Sequence, residues 1–213
     1  MLGLPAKAEV SKMLPKKAIY EKFNMTAAQK ARLDADIARI AIVGELTSAT
    51  TQIAVGKTVQ GFYVLQISLK NKKYDEKVLA GLQRLIPQRM VLLLQYEEEY
   101  CLAYYQTRLF ATEWQAQDKL TLPLTGLDLD AVWTNTVKSI VCSTESGAWD
   151  RELTLDENIT RADAYIRTQR EIERLEKLAR AEKQPKKKFE LVQRINAMRN
   201  AEFVIRNGEG NEE

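Results

Sequence analysis

The sequence predicts an α+β protein: a mixed, mainly antiparallel sheet with flanking helices, followed by a C-terminal antiparallel helical hairpin of coiled-coil-like character. Three observations carry this. Residues 61–69 alternate in the two-residue period of a strand, and residues 90–94 are apolar on both faces. Between Asp156 and Lys183 there is neither Gly nor Pro, and apolar residues recur at helical spacing. Pro185 breaks this run and suits the first position of a second helix. The expected organisation is an α+β domain over residues 1–150 with a basic N-terminal arm, then a helical tail over residues 151–213.

The elements follow in order. Pro5 and Pro15 interrupt the arm, and KKAIYEKF can form a short helix. Thr26 is a good N-cap for AAQKARLDADIARI, because its hydroxyl can take a bond from an unpaired first-turn amide. Residues 40–46 read as a strand and residues 52–55 as another, ending at Gly56. In the 61–69 strand, Tyr63, Leu65, Ile67 and Leu69 fall on one face and Phe62, Val64, Gln66 and Ser68 on the other, the alternation of a half-buried strand. Residues 75–86 return to helical period before Pro87. Glu97, Glu98 and Glu99 form a charged turn between strands, residues 101–105 and 109–114 complete a meander, and residues 130–141 form a helix. Residues 143–150, STESGAWD, have the composition of a linker.

In the tail, Leu155, Ile159, Ala162 and Ile166 make one apolar stripe, which Ile172, Leu175 and Ala179 continue. The second helix presents Leu191, Val192, Ile195, Met198 and Ile205. Each helix is amphipathic and needs a partner: the other helix, the α+β domain, a second copy, or another protein.

The chain has 213 residues, 45 % hydrophobic and 29 % charged, as expected of a folded protein. It contains no histidine, which removes the Ser-His-Asp triad, the Cys-His dyad, imidazole bases and nearly every zinc enzyme. Cys101 and Cys142 read as buried free thiols in a reducing compartment. The first residues lack the apolar core of a signal peptide, and the longest apolar run, MVLLL, falls far short of the ~20 residues that cross a bilayer. A cytoplasmic location is expected, with no membrane partner, no metal and no cofactor.

The net charge is only +3, but residues 1–33 hold seven Lys/Arg against two acids. Lys12, Lys16, Lys17 and Lys22 lie in this arm, with Tyr20 and Phe23 among them to stack on bases. Lys186, Lys187 and Lys188 form a second basic group, and Lys70, Lys72 and Lys73 a third. Each can contact phosphates.

Two catalytic patterns fail on their residues. Gly56-Lys57-Thr58 resembles the end of a phosphate loop, but position 51, where that motif needs glycine, is threonine. It reads as a turn. A nuclease pattern would need carboxylates for Mg²⁺, and Ser68 stands where one is wanted; Glu45, Asp75 and Lys70 are the remaining members.

The segments LPKKAIYEKF, GFYVLQISLK, RMVLLLQYEEEYCLAYY, GLDLDAVW and EIERLEKLARAEKQPKKKFELVQRI resemble the bacterial family called domain of unknown function 4391 over nearly the whole chain. The tail phrase and LPKK are the most specific parts. The resemblance brings no catalytic residues. It implies a setting among DNA-modification, helicase and anti-phage defence genes.

The expected function is a non-enzymatic accessory subunit that docks a larger protein, a helicase or DNA methyltransferase, through Ile159, Ile166, Ile172, Leu175, Leu191, Ile195 and Met198. Such a stripe, once buried, contributes ~25 cal/mol per Å². Self-association through the same stripe is a further outcome. The alternative is a nucleic-acid-binding module using the basic arm and the tail lysines, and a degenerate nuclease ranks third.

Overall fold

The computed structural model describes residues 2–144 and 149–207, with side chains to residue 201. The chain divides into two compact units, Met1–Thr144 and Glu145–Glu213.

In the first unit the order is β1 (Glu9–Met13), α1 (Lys16–Lys22), α2 (Ala27–Asp36), β2 (Ile37–Thr47), α3 (Ser48–Thr51), β3 (Gly61–Leu69), α4 (Glu76–Leu85), β4 (Met90–Tyr96), β5 (Glu99–Tyr105), β6 (Leu109–Ala111), β7 (Gln115–Ala116) and α5 (Leu129–Ser143). The strands form one sheet in the order β1-β2-β3-β4-β5-β6, and β7 also pairs with β5. Among the described strands β3 and β4 are the parallel pair; the rest are antiparallel. Parallel neighbours need a crossover, and α4 supplies it. The fold is therefore α+β, with a mixed, mostly antiparallel sheet.

Local signals set the helix ends. Thr26 accepts the Gln29 amide at 3.3 Å while the Gln29 side chain takes the Thr26 amide at 2.8 Å, a complete capping box. Asp75 caps α4 through the Lys77 amide, and Asp128 caps α5 through the Ala131 amide. Glu97 turns the chain between β4 and β5 with a left-handed φ of 51°.

Helices cover both sheet faces. On one, Ile40, Leu65, Ile67, Met90, Leu92 and Cys101 pack with Ile19 of α1, Leu33 of α2 and Leu79 and Leu82 of α4. On the other, Trp133 of α5 meets Phe62 and Tyr104 edge-on, at centroid distances of 5.1 and 5.7 Å. This corrects the reading of β3 as half-buried: Phe62 and Val64 are fully buried, and only Gln66 and Ser68 keep polar company, both bonding Gln95.

Other expectations also shift. Residues 37–40 leave the helix and start β2, because Ile37 to Thr47 pairs along nearly all of β3. That ladder outweighs the helical spacing of Ile37 and Ile40. Residues 52–55 make no strand; Ala54 forms a single bridge to Asp128. The arm contributes an edge strand, β1. Cys101 is buried, but Cys142 is exposed on the side of α5 away from Val137, Ile140 and Val141.

The second unit holds α6 (Leu155–Ala181) and α7 (Pro185–Asn207), which pack together across a three-residue link. Thr154 caps α6 through a box with Glu157. Part of the expected linker, residues 145–148, lies outside the described residues.

Candidate functional site

The basic arm is built into the fold at one point. Lys16 pairs with Asp34 at 2.7 Å and also donates to the Ile37 carbonyl. The Tyr20 hydroxyl donates to the same Asp34 oxygen at 2.6 Å, and Lys70 donates to the Asp34 carbonyl. Hydrogen bonds from Lys16 and Tyr20 hold the Asp34 carboxyl below its ordinary range. Burial, then the Asp34 contact, pushes the Tyr20 phenol up to about 12. Lys16 thus fastens α1 to the α2–β2 junction. Lys12, Lys17 and Lys22 are exposed; Lys17 stands 4.0 Å from Glu21, and Lys22 lies over the Phe23 ring.

Beside this anchor the core opens into a cleft of about 700 Å³. Its floor is the β1–β2–β3 surface, with Ile42, Leu65 and Tyr63, and Met90 at the start of β4. Ile19 of α1 and Phe23 just after it form one wall, and Ile86 closes another. Glu45 and Tyr63 sit opposite each other across β2 and β3, while Lys12 lies opposite Ile42 about two rows along. Glu45 makes no side-chain hydrogen bond or ion pair among the described residues.

The candidate catalytic groups do not converge. Gly56 to Val59 wraps a carboxylate from the same chain: Asp130 accepts the amides of Lys57 at 2.7 Å, Thr58 at 3.1 Å and Val59 at 2.7 Å, plus the Thr58 hydroxyl at 2.9 Å. Burial pushes the Asp130 carboxyl up, but these bonds outweigh it and hold it below the ordinary range. Glu45 pairs with Tyr63 near the start of β3, whereas Lys70 follows its end. At ~3.3 Å per residue that is over 20 Å. Asp75 caps α4. Among the described residues no three acidic or cysteine side chains cluster to hold a metal, and no helix is long and apolar enough to cross a membrane.

A family model described as "Domain of unknown function (DUF4391)" matches residues 2–201. The chain belongs to this family. No curated protein and no solved structure matches it.

In this DUF4391 chain the tail stripe lies largely between the two helices. Ile172, Leu175, Ala179 and Ile195 form its buried centre, with Leu191 and Met198 packed against them. Ile159 is buried, and Ile166 is half-buried. Glu171–Arg194 at 3.5 Å and Glu176–Arg199 at 2.6 Å tie the helices together. Val192 departs from the expected face and is exposed, since one residue turns a helix by 100° from Leu191. The side chain of Ile205 falls outside the described residues. Lys186, Lys187 and Lys188 are exposed at the start of α7.

Sequence reasoning missed the cleft, Asp34, Asp130 and Asn158. Asn158 is buried, takes the Asp150 amide, and donates to the carbonyls of Asp150, Leu153 and Thr154. Arg161 adds an ion pair to Asp150 at 3.1 Å.

Proposed function

We propose that this DUF4391 chain is a non-enzymatic accessory subunit of the bacterial cytoplasm. It docks a larger protein, a helicase or DNA methyltransferase of a DNA-modification or antiviral defence system. The docking element is the C-terminal hairpin, whose stripe of Ile159, Ile166, Ile172, Leu175, Leu191, Ile195 and Met198 shapes the two helices while their outer surface meets the partner. The supporting observation is that outer surface. Phe189 is 62 % exposed and Val192, one turn on, 40 %, while Leu178 of α6 is 46 % exposed. Lys186, Lys187 and Lys188 precede Phe189 in the first turn of α7 and form no ion pair among the described residues. Exposed aromatic and aliphatic groups next to unpaired cations suit a protein pocket edged by carboxylates. The partner's class is the one that the sequence resemblance implies.

The test co-expresses the full chain with a candidate helicase or DNA methyltransferase of the same organism and measures the complex by light scattering. Phe189→Asp with Val192→Asp is expected to weaken the complex at least tenfold and leave the circular dichroism unchanged. Undiminished assembly by the variant, or no assembly by the natural chain, overturns the reading.

The same three lysines favour a second reading, nucleic-acid binding. It predicts a log–log salt slope that falls by roughly two to three when all three become alanine. Binding that ignores salt removes it.

A further inference from the structure

The cleft between α1 and the sheet is independent of the hairpin, and its chemistry is specific. Most of its lining is aliphatic, yet Glu45 enters it without a partner among the described residues. A purely apolar guest would strand that carboxylate away from water, which is costly. The guest must therefore bring N–H donors to the Glu45 end. Lys12 and Lys22 line the same cleft and call for an anion. Lys12 sits one strand over and about two rows along from Glu45. From strand geometry the two backbone positions are roughly 8 Å apart. An α-amino acid carries its ammonium and carboxylate on one carbon and cannot reach both. A nucleotide separates its base edge from its phosphate by the furanose ring, and so spans such a gap.

We propose that this cleft binds a nucleoside monophosphate, with the base edge on Glu45, the ring against Tyr63 and Phe23, and the phosphate at Lys12 and Lys22. A carboxylate accepts two parallel N–H bonds best. Guanine offers such a pair, N1–H beside N2–H, and adenine does not. The preferred base is guanine. The volume, about 700 Å³, falls in the range of small-ligand sites.

The experiment is calorimetric titration of the full chain with GMP, AMP, guanosine and inorganic phosphate. GMP is expected to bind at least tenfold more tightly than each of the other three. Glu45→Gln should lower GMP affinity about tenfold and erase the preference over AMP. Lys12→Ala with Lys22→Ala should weaken GMP but leave guanosine unchanged. Thermal melts of each variant establish that it is folded. No GMP binding at millimolar concentration, or binding indifferent to Glu45→Gln in a folded variant, overturns the proposal. Because the hairpin takes no part, loss of partner docking leaves these results unaffected.

Discussion

The Tyr20 hydroxyl lies 2.6 Å from Asp34 Oδ1, the oxygen that Lys16 also holds at 2.7 Å. One carboxylate oxygen thus ties two residues of α1, four positions apart and on one helix face, to the end of α2. Two pH limits follow. The folded Asp34 carboxyl titrates below its ordinary value, so its contribution is present above about pH 4 and is lost as pH falls further. The folded Tyr20 phenol titrates at about 12, above its ordinary 10.0. Its contribution is full below pH 10 and disappears as pH rises toward 12. Asp34→Ala should cost about 1 kcal/mol at neutral pH, since Asp34 is half exposed. It should also shift the Tyr20 titration, read at 295 nm, back toward 10.

Gly56 is required for space. A Cβ there would meet Asp130 Oδ1 at 2.3 Å and the Asp130 backbone nitrogen at 2.7 Å. Rotating the carboxylate relieves only the first clash. Gly56→Ala is expected to cost about 1–3 kcal/mol. Adding Asp130→Ala should recover only part of it in urea unfolding.

The two thiols should react in sequence. Cys101 is buried, and burial pushes its thiol up to about 12. Cys142 is exposed, although partial burial raises its thiol too. At pH 8 a disulfide reagent should modify one thiol per native chain, slowly, and the second only on unfolding. Two equally fast thiols would contradict this arrangement.

Asn158→Ala should loosen the start of α6. The side chain serves one amide and three carbonyls from within a buried position, and alanine leaves them unsatisfied. The expected cost is about 2–3 kcal/mol. Hydrogen exchange in the first two turns of α6 should rise before that of the segment around Leu175.

What the sequence disclosed was what short-range chemistry decides. Thr26 with its capping box, Pro185 at a helix start, and the alternation of β3 all act within a few residues. The doubly apolar β4 foretold a strand covered on both sides. β1 stayed hidden because EVSKM is an exposed edge strand with no buried face to impose alternation. Asp130 stayed hidden because its partners lie more than seventy positions away. The cleft could not be read at all: β1, α1, β2 and β3 each supply part, and only sheet register brings Glu45 and Tyr63 opposite each other.

The loop around Gly56 carries its own anion on a leash. Asp130 is delivered by the same polypeptide, so it competes with dissolved phosphate as though it stood at millimolar concentration or above. An outside anion gains these amides only if the first turn of α5 lifts off. Protection of the Lys57, Thr58 and Val59 amides from deuterium is therefore a gauge of whether α5 is seated on its neighbour, and it should stay blind to how much nucleotide the solution holds.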